Sequence, residues 1–192
     1  MRKIMKPLVL ASQSPRRREL MALLPWAFEI KLKEVEEHID LSLSPEENVK
    51  AVALQKAEAV ASQNVDQIVI GADTIVCLNG EIMGKPVDLF HAQAMLERLS
   101  GKEHDVFTGV AIINKKRKIV ESFYIKTKVR MHELSKQEIE AYLETKEPFD
   151  KAGAYGIQGY GARYIEGIEG DYYNVMGLPV HALYEKLKVL VL

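Results

Sequence analysis

The stretch Leu8-Val9-Leu10-Ala11-Ser12-Gln13-Ser14-Pro15-Arg16-Arg17-Arg18-Glu19-Leu20 changes its periodicity in the middle. A short apolar run ends in a Ser/Gln/Ser/Pro turn, and from Arg16 to Leu24 the pattern becomes helical, with Leu20, Leu23 and Leu24 on one side. Strand, turn and helix in that order are the opening of an α/β fold. A helix that begins at Pro15 leaves N–H groups unpaired at its start, and its dipole favours anions there. Ser12, Ser14 and Arg16 to Arg18 flank that start, so the turn is either a phosphate grip or an ordinary Ser14 N-cap above solvated arginines. Consecutive cations oppose the dipole and call for an anion, bound or built in, to offset them. A Walker-type loop is excluded, because Gly-x-x-x-x-Gly-Lys-Ser/Thr does not occur.

Working outward, Phe28 to Leu32 reads as a second strand, and the acidic stretch Glu34-Val35-Glu36-Glu37 as a loop or strand edge. Ser44-Pro45-Glu46-Glu47 is a capping box with proline at the first helical position, which predicts a helix to about Ser62. Ile68 to Leu78 is rich in β-branched residues and is interrupted at Gly71-Ala72-Asp73; Asn79-Gly80 then turns the chain into Glu81-Ile82-Met83. Asp88 caps a helix with Ala92, Met95, Leu96 and Leu99 on its apolar face and a stop at Gly101. Asp105 to Met131 reads as two long strands joined by Lys115-Lys116-Arg117-Lys118. Ser135-Lys136-Gln137-Glu138 opens a further helix to about Glu144. Glycines at 153, 156, 159 and 161 make a tight loop whose backbone approaches something closely, and Pro179 starts a last helix ending near Leu190.

The 192 residues, 47% of them hydrophobic, suffice for one domain spanning 1–192 with a sizeable core. With 26 Lys+Arg against 27 Asp+Glu, the net charge of −1 lacks the basic excess of a protein that binds long nucleic acid, so any phosphate ligand is held locally. Lys115 to Lys118 reads as a solvated turn. The single cysteine, Cys77, excludes an intrachain disulfide and agrees with a cytoplasmic protein. The basic start Met1 to Lys6 resembles the opening of a signal peptide, but the apolar run Leu8 to Ala11 is too short to complete one, and every apolar run falls short of a membrane span.

Two residues break the expected pattern. Lys56 falls inside the apolar stripe formed by Val49, Val52, Ala53, Ala57 and Val60, where it either snorkels to water or meets a partner. Asp73 sits in a strongly apolar strand region, where a carboxylate belongs to a turn or must be paired, hydrogen-bonded or coordinated to a metal. Hydrolysis of a triphosphate needs cations for the phosphates, carboxylates for a hard divalent metal, and a base for water. Arg16, Arg17, Lys56 and Lys85 can supply the first, and Glu37 and Asp73 the others; residue chemistry alone does not choose them over Glu34, Glu36 or Glu47.

Several ordered motifs then point one way: Leu-Ala-Ser-Gln-Ser-Pro-Arg-Arg (10–17), Val-Glu-Glu (35–37), Gly-Ala-Asp-Thr-Ile-Val (71–76), Gly-Lys-Pro (84–86), Leu-Ser-Gly (99–101), Asp-Lys-Ala-Gly-Ala-Tyr-Gly-Ile-Gln-Gly (150–159) and Gly-Asp-Tyr-Tyr-Asn-Val-Met-Gly-Leu-Pro (170–179). From Leu8 to Pro179 the sequence resembles the Maf, or septum-formation, proteins, which are nucleoside triphosphate pyrophosphatases. The resemblance implies an elongated mixed β-sheet flanked by helices with a central cleft, as in inosine triphosphate pyrophosphatases. It implies hydrolysis between the α- and β-phosphates, with magnesium or manganese as cofactor, and a family in which homodimers are common.

By the same resemblance Asp73 is the proton acceptor, and Glu37 and Asp73 serve the metal. Ser12, Ser14, Arg16 and Arg17 contact phosphate, Lys56 and Lys85 neutralise it, and Arg16, Thr74 and Gln158 occupy specificity positions. Their combination resembles the branch acting on dTTP and UTP. Gln158 offers both a donor and an acceptor, which suits the imide edge of a pyrimidine. Two other readings are a pyrophosphatase for deaminated purine nucleotides and a nucleotide-binding regulator of septum formation without catalysis.

Overall fold

The structure is a computed structural model that describes residues 6–191. Residues 1–5, which carry most of the basic opening, and residue 192 lie outside the described residues. The chain runs through β1 (Leu8–Leu10), α1 (Pro15–Met21), β2 (Phe28–Ile30), α2 (Pro45–Ala61), β3 (Val69–Leu78) and β4 (Glu81–Met83). It continues with α3 (Leu89–Leu99), β5 (Glu103–Asn114), β6 (Ile119–Met131), α4 (Lys136–Glu144), β7 (Ile165–Glu169), α5 (Tyr172–Met176) and α6 (Val180–Val191). The strands form a mixed sheet in the order β2-β1-β3-β5-β6-β7, with β4 paired to β3. Strand β1 runs parallel to β2 and β3, whereas β4 is antiparallel to β3 and β7 to β6. The fold is thus the expected α/β class, a mixed sheet flanked by helices.

Residues divide into two compact units. The first takes the chain up to Asp73, Thr108–Tyr124 and the chain from Gly177 on; the second takes Thr74–Phe107 and Ile125–Met176. In the first unit, α2 is held by the capping box read from sequence, with Glu47 N–H donating to Ser44 Oγ at 3.3 Å and Ser44 N–H to Glu47 Oε2 at 3.0 Å. Its buried face, Ala53, Ala57 and Val60, packs with Val9, Val69 and Ala111 of the sheet. The approach is close enough to involve main chain. A Cβ on Gly71 of β3 would collide with Ala53 O and lie 2.8 Å from Ala57 N, and one on Gly109 of β5 would collide with Val49 O and lie 2.7 Å from Lys50 N. Glycine at both positions lets the helix backbone rest on the strands.

The second unit buries Leu96, Leu99, Val106, Met131, Tyr142 and Tyr164 in its own core. Helix α3 starts at Asp88, whose Oδ1 accepts from His91 N–H at 2.7 Å, and α4 at the capping box of Ser135 and Glu138. His104 is buried here, 2.7 Å from the Tyr155 hydroxyl through Nε2, and burial pushes its imidazole down to about 4.

Four expectations change. Helix α1 ends at Met21 rather than Leu24, because Leu23 and Leu24 N–H groups bond back only three residues, each at 3.1 Å, ahead of Pro25. That tighter turn leaves Leu24 buried but rotates Leu23 out to 60% exposure, while Met21 takes an inward position. Strand β2 is shorter than read, ending at Ile30. Gly71-Ala72-Asp73 does not interrupt β3, which runs unbroken, so Asp73 is a strand residue and not a turn residue. Strand β7 and the one-turn helix α5 were not foreseen, since Ile-Glu-Gly-Ile-Glu is short and weakly patterned and gains its strand only by pairing with β6.

Gly71→Ala is expected to lower unfolding free energy by about 2–4 kcal/mol in urea titration, because the colliding atoms belong to helix backbone and cannot rotate away. The imidazole of His104 gives a second expectation. Its proton affinity is lower in the native state than in the unfolded chain, so its contribution is fully present above pH 6.5 and is lost as pH falls through about 4. Across that window wild type should lose about 3 kcal/mol more stability than His104→Asn, read from denaturant midpoints at each pH.

Candidate active site

In the first unit the end of β1 and the start of α1 place Ser12, Ser14, Arg16 and Arg17 together. Ser14 is the N-cap, its Oγ accepting from Arg17 N–H at 3.4 Å, and its own N–H donates to Ser12 Oγ at 3.3 Å. The Arg17 side chain does not point into solvent. Its Nε donates to Gly177 O at 2.8 Å and its Nη1 to Ser12 Oγ at 3.4 Å. Burial pushes this guanidinium below its ordinary range; Asp73 works against that, Arg16 adds to it, and Glu37 opposes it. The anion that consecutive arginines require is therefore partly built in, as the carboxylates of Asp73 and Glu37.

Lys56 joins those two carboxylates. Its Nζ lies 2.8 Å from Asp73 Oδ1 and 2.9 Å from Glu37 Oε2. With side-chain exposures of 14% for Lys56 and 11% for Asp73, this pair is shielded from water, whereas Glu37 at 52% is open to it. Lys56 is thus a partnered lysine within the apolar stripe of α2 and not a snorkelling one. Asp73 reaches it because Gly71 and Asp73, two residues apart, share a face of β3, and that face meets Ala53, Lys56 and Ala57 of α2.

Glu37 comes from a segment without regular structure, and α2 holds that segment at two points. Gln55 Nε2 donates to Glu36 O at 2.9 Å, and Asn48 exchanges hydrogen bonds with the Asp40 backbone at 2.8 and 2.9 Å. These supports escaped sequence reasoning, as did the Gly177 carbonyl. A signal existed for Asn48, a polar residue on the apolar face of a helix; Gly177 stands in the 170–179 motif, but nothing in that motif pointed to Arg17, 160 positions away.

Seven of the expected residues, Ser12, Ser14, Arg16, Arg17, Glu37, Lys56 and Asp73, therefore fall in one neighbourhood of the first unit. Thr74, Lys85 and Gln158 belong to the second unit, on three different segments. Thr74 follows Asp73 in β3 and so faces the other side of the strand. Lys85 is exposed in the loop after β4, where the preceding Gly84 carbonyl accepts from Gly153 N–H at 3.0 Å. Gln158 is half-buried, extended in backbone, and stands just before the 3-10 turn Gly159–Tyr164.

The donor set suits a hard cation. Glu37 and Asp73 offer carboxylate oxygens around a position where a cation, the Lys56 ammonium, is already stabilised. Among the described residues no group of three or more His, Cys, Asp or Glu converges, and Glu37 and Asp73 are the two carboxylates that meet at Lys56.

Comparison with known proteins identifies the family. The family model described as Maf-like protein matches residues 7–190. A protein of Bacillus cereus (strain G9842) named dTTP/UTP pyrophosphatase is 52% identical over 184 residues, covering 96% of this chain and 95% of its own length. One of the same name from Bacillus cytotoxicus is 51% identical over 184 residues, covering 96% and 95%. Among solved structures, the Staphylococcus aureus Ham1 protein aligns with a TM-score of 0.50 at 17% identity over 83% of this chain and 80% of its own, a likeness of fold alone. The match along nearly the whole length, at more than half identity, means that the chain belongs to the Maf-like family.

Proposed function

We propose that this protein is a nucleoside triphosphate pyrophosphatase that hydrolyses dTTP and UTP to the nucleoside monophosphate and pyrophosphate. The observation that carries the reading is the shielded Lys56–Asp73 pair with Glu37 and Arg17 around it, an arrangement of base, cations and carboxylates suited to phosphoanhydride hydrolysis. The names borne by relatives at 52% and 51% identity support the substrate. One family model spanning both units supports reading residues 1–192 as a single catalytic domain. No helix among the described residues is long and apolar enough to cross a membrane. The reading places the enzyme in the cytoplasm, as the lone buried Cys77 suggests.

In this scheme Asp73 accepts a proton from the attacking water. Arg16, Arg17, Ser12 and Ser14 hold the phosphates, and Lys56 and Lys85 neutralise their charge as it develops on the leaving pyrophosphate. Glu37 and Asp73 would hold a magnesium or manganese ion, which when bound draws charge from the phosphate oxygens. Arg16, Thr74 and Gln158 occupy the specificity positions, with Gln158 selecting the base.

Asp73→Asn keeps the shape of the side chain but removes the base. It is expected to lower kcat by about 10²–10⁴-fold while nucleotide affinity, measured by calorimetry, stays within a few-fold. Wild-type turnover in that variant would remove Asp73 from the proton-accepting role, and tight binding without hydrolysis by wild type would favour a regulator. Pyrophosphate release over a panel of dTTP, UTP, CTP, GTP and ITP, with and without magnesium, tests the substrate. Hydrolysis of ITP but of neither dTTP nor UTP would refute the pyrimidine reading.

A further inference from the structure

The glycine-rich loop closes around one carboxylate that no motif singled out. The Tyr142 hydroxyl donates to Glu147 Oε1 at 2.8 Å, Gly161 N–H donates to the same oxygen at 3.1 Å, and Tyr160 N–H donates to Oε2 at 2.8 Å. The Tyr142 oxygen in turn accepts from Gly156 N–H at 3.1 Å. Both ends of segment 156–161 are thus tied to one pair of side chains, and Gln158 lies between the ties.

The backbone can come this close only because side chains are missing from it. Gly159 has φ +69°, and a Cβ there would collide with the Glu147 carboxylate, its Cδ at 3.0 Å; a Cβ on Gly161 would lie 2.6 Å from the Tyr142 hydroxyl. At Gly159 and Gly161 the close approach that the glycine spacing announced is therefore an approach to the protein's own Glu147 and Tyr142. Successive amides turned toward an anion form a nest, and hydrogen bonds to an ionised acceptor are the stronger kind. Glu147 is itself fixed, its N–H donating to Thr145 Oγ1 at 3.2 Å and its carbonyl accepting from Lys151 Nζ at 2.7 Å. A glycine-rich segment has a large conformational entropy to lose, and these ties, beside the buried Ile157, offset it.

We propose that Glu147 is a positioning residue for base selection: its carboxylate, together with the Tyr142 hydroxyl, holds segment 156–161 so that Gln158 meets a pyrimidine in one fixed place. This rests on the reading of Gln158 as the base-selecting residue. Glu147 acts through the loop and does not touch the nucleotide.

Glu147→Gln keeps the volume and turns one acceptor into a donor that faces other donors. Amide hydrogen exchange at Tyr160 and Gly161 should quicken by about tenfold or more, without nucleotide present. With dTTP and UTP, KM should rise about tenfold while kcat changes little, and the preference for them over CTP should narrow by a similar factor. Gln158→Ala should narrow the same preference, and adding Glu147→Gln to it should narrow it no further. Tyr142→Phe, a milder change, should move exchange and KM in the same direction. The proposal is overturned if exchange is unchanged, if the dTTP-to-CTP ratio stays within about twofold, or if kcat falls alike for every triphosphate along with Tm, which marks a role in stability only. It also fails if the double variant is worse than Gln158→Ala alone, since Glu147 would then act by another route. Absence of wild-type turnover with dTTP and UTP would instead refute the function itself, a result separable from all of these.

Discussion

Helix α2 lies against β3 and β5 with no side chain between main chains at Gly71 and Gly109. Such an approach shortens the distance between a helix and a sheet, and it fixes the height of every other residue on that helix face. Lys56 is one turn from Ala53 and adjacent to Ala57, the two residues that touch Gly71. A long side chain in that position would be driven outward by an ordinary spacing; here it reaches along the sheet to Asp73, two residues beyond Gly71 on the same strand face. The seat of a helix thus sets the geometry of an ion pair.

The charges in that neighbourhood depend on one another. A shielded ammonium is costly without partners, and a shielded carboxylate equally so. Lys56 and Asp73 satisfy each other, and Glu37 adds a second carboxylate from the solvent side. Arg17 is drawn inward by the same carboxylates and by a carbonyl from the far end of the chain, although burial lowers its proton affinity. What results is a set of cations balanced by two carboxylates within one cluster. The loop bearing Glu37 can take part because Gln55 and Asn48 of α2 hold it, so one helix supplies the lysine and also the supports for its partner.

In the second unit the same economy of shape appears without a helix. Segment 156–161 buries Ile157, and its glycine-flanked ends are held by hydrogen bonds to Glu147 and Tyr142. Gly159 and Gly161 are needed for its close contact with Glu147 and Tyr142.

Local chemistry carried much of this protein in its sequence. The capping boxes at Ser44 and Ser135, the Asp88 cap, the Asn79-Gly80 hairpin and the long strands on either side of Lys115 to Lys118 were legible because each is decided by residues within a few positions of one another. The ordered motifs also named the family and its charged residues. Long-range contact decided the rest. It kept Asp73 inside an unbroken strand, turned Leu23 outward, paired the short β7 with β6, and brought Gly177 to Arg17 and Glu147 to Tyr160. Periodicity and capping report how a segment meets water and its own backbone, whereas the partner of a buried charge or an edge strand is fixed only when distant segments pack together.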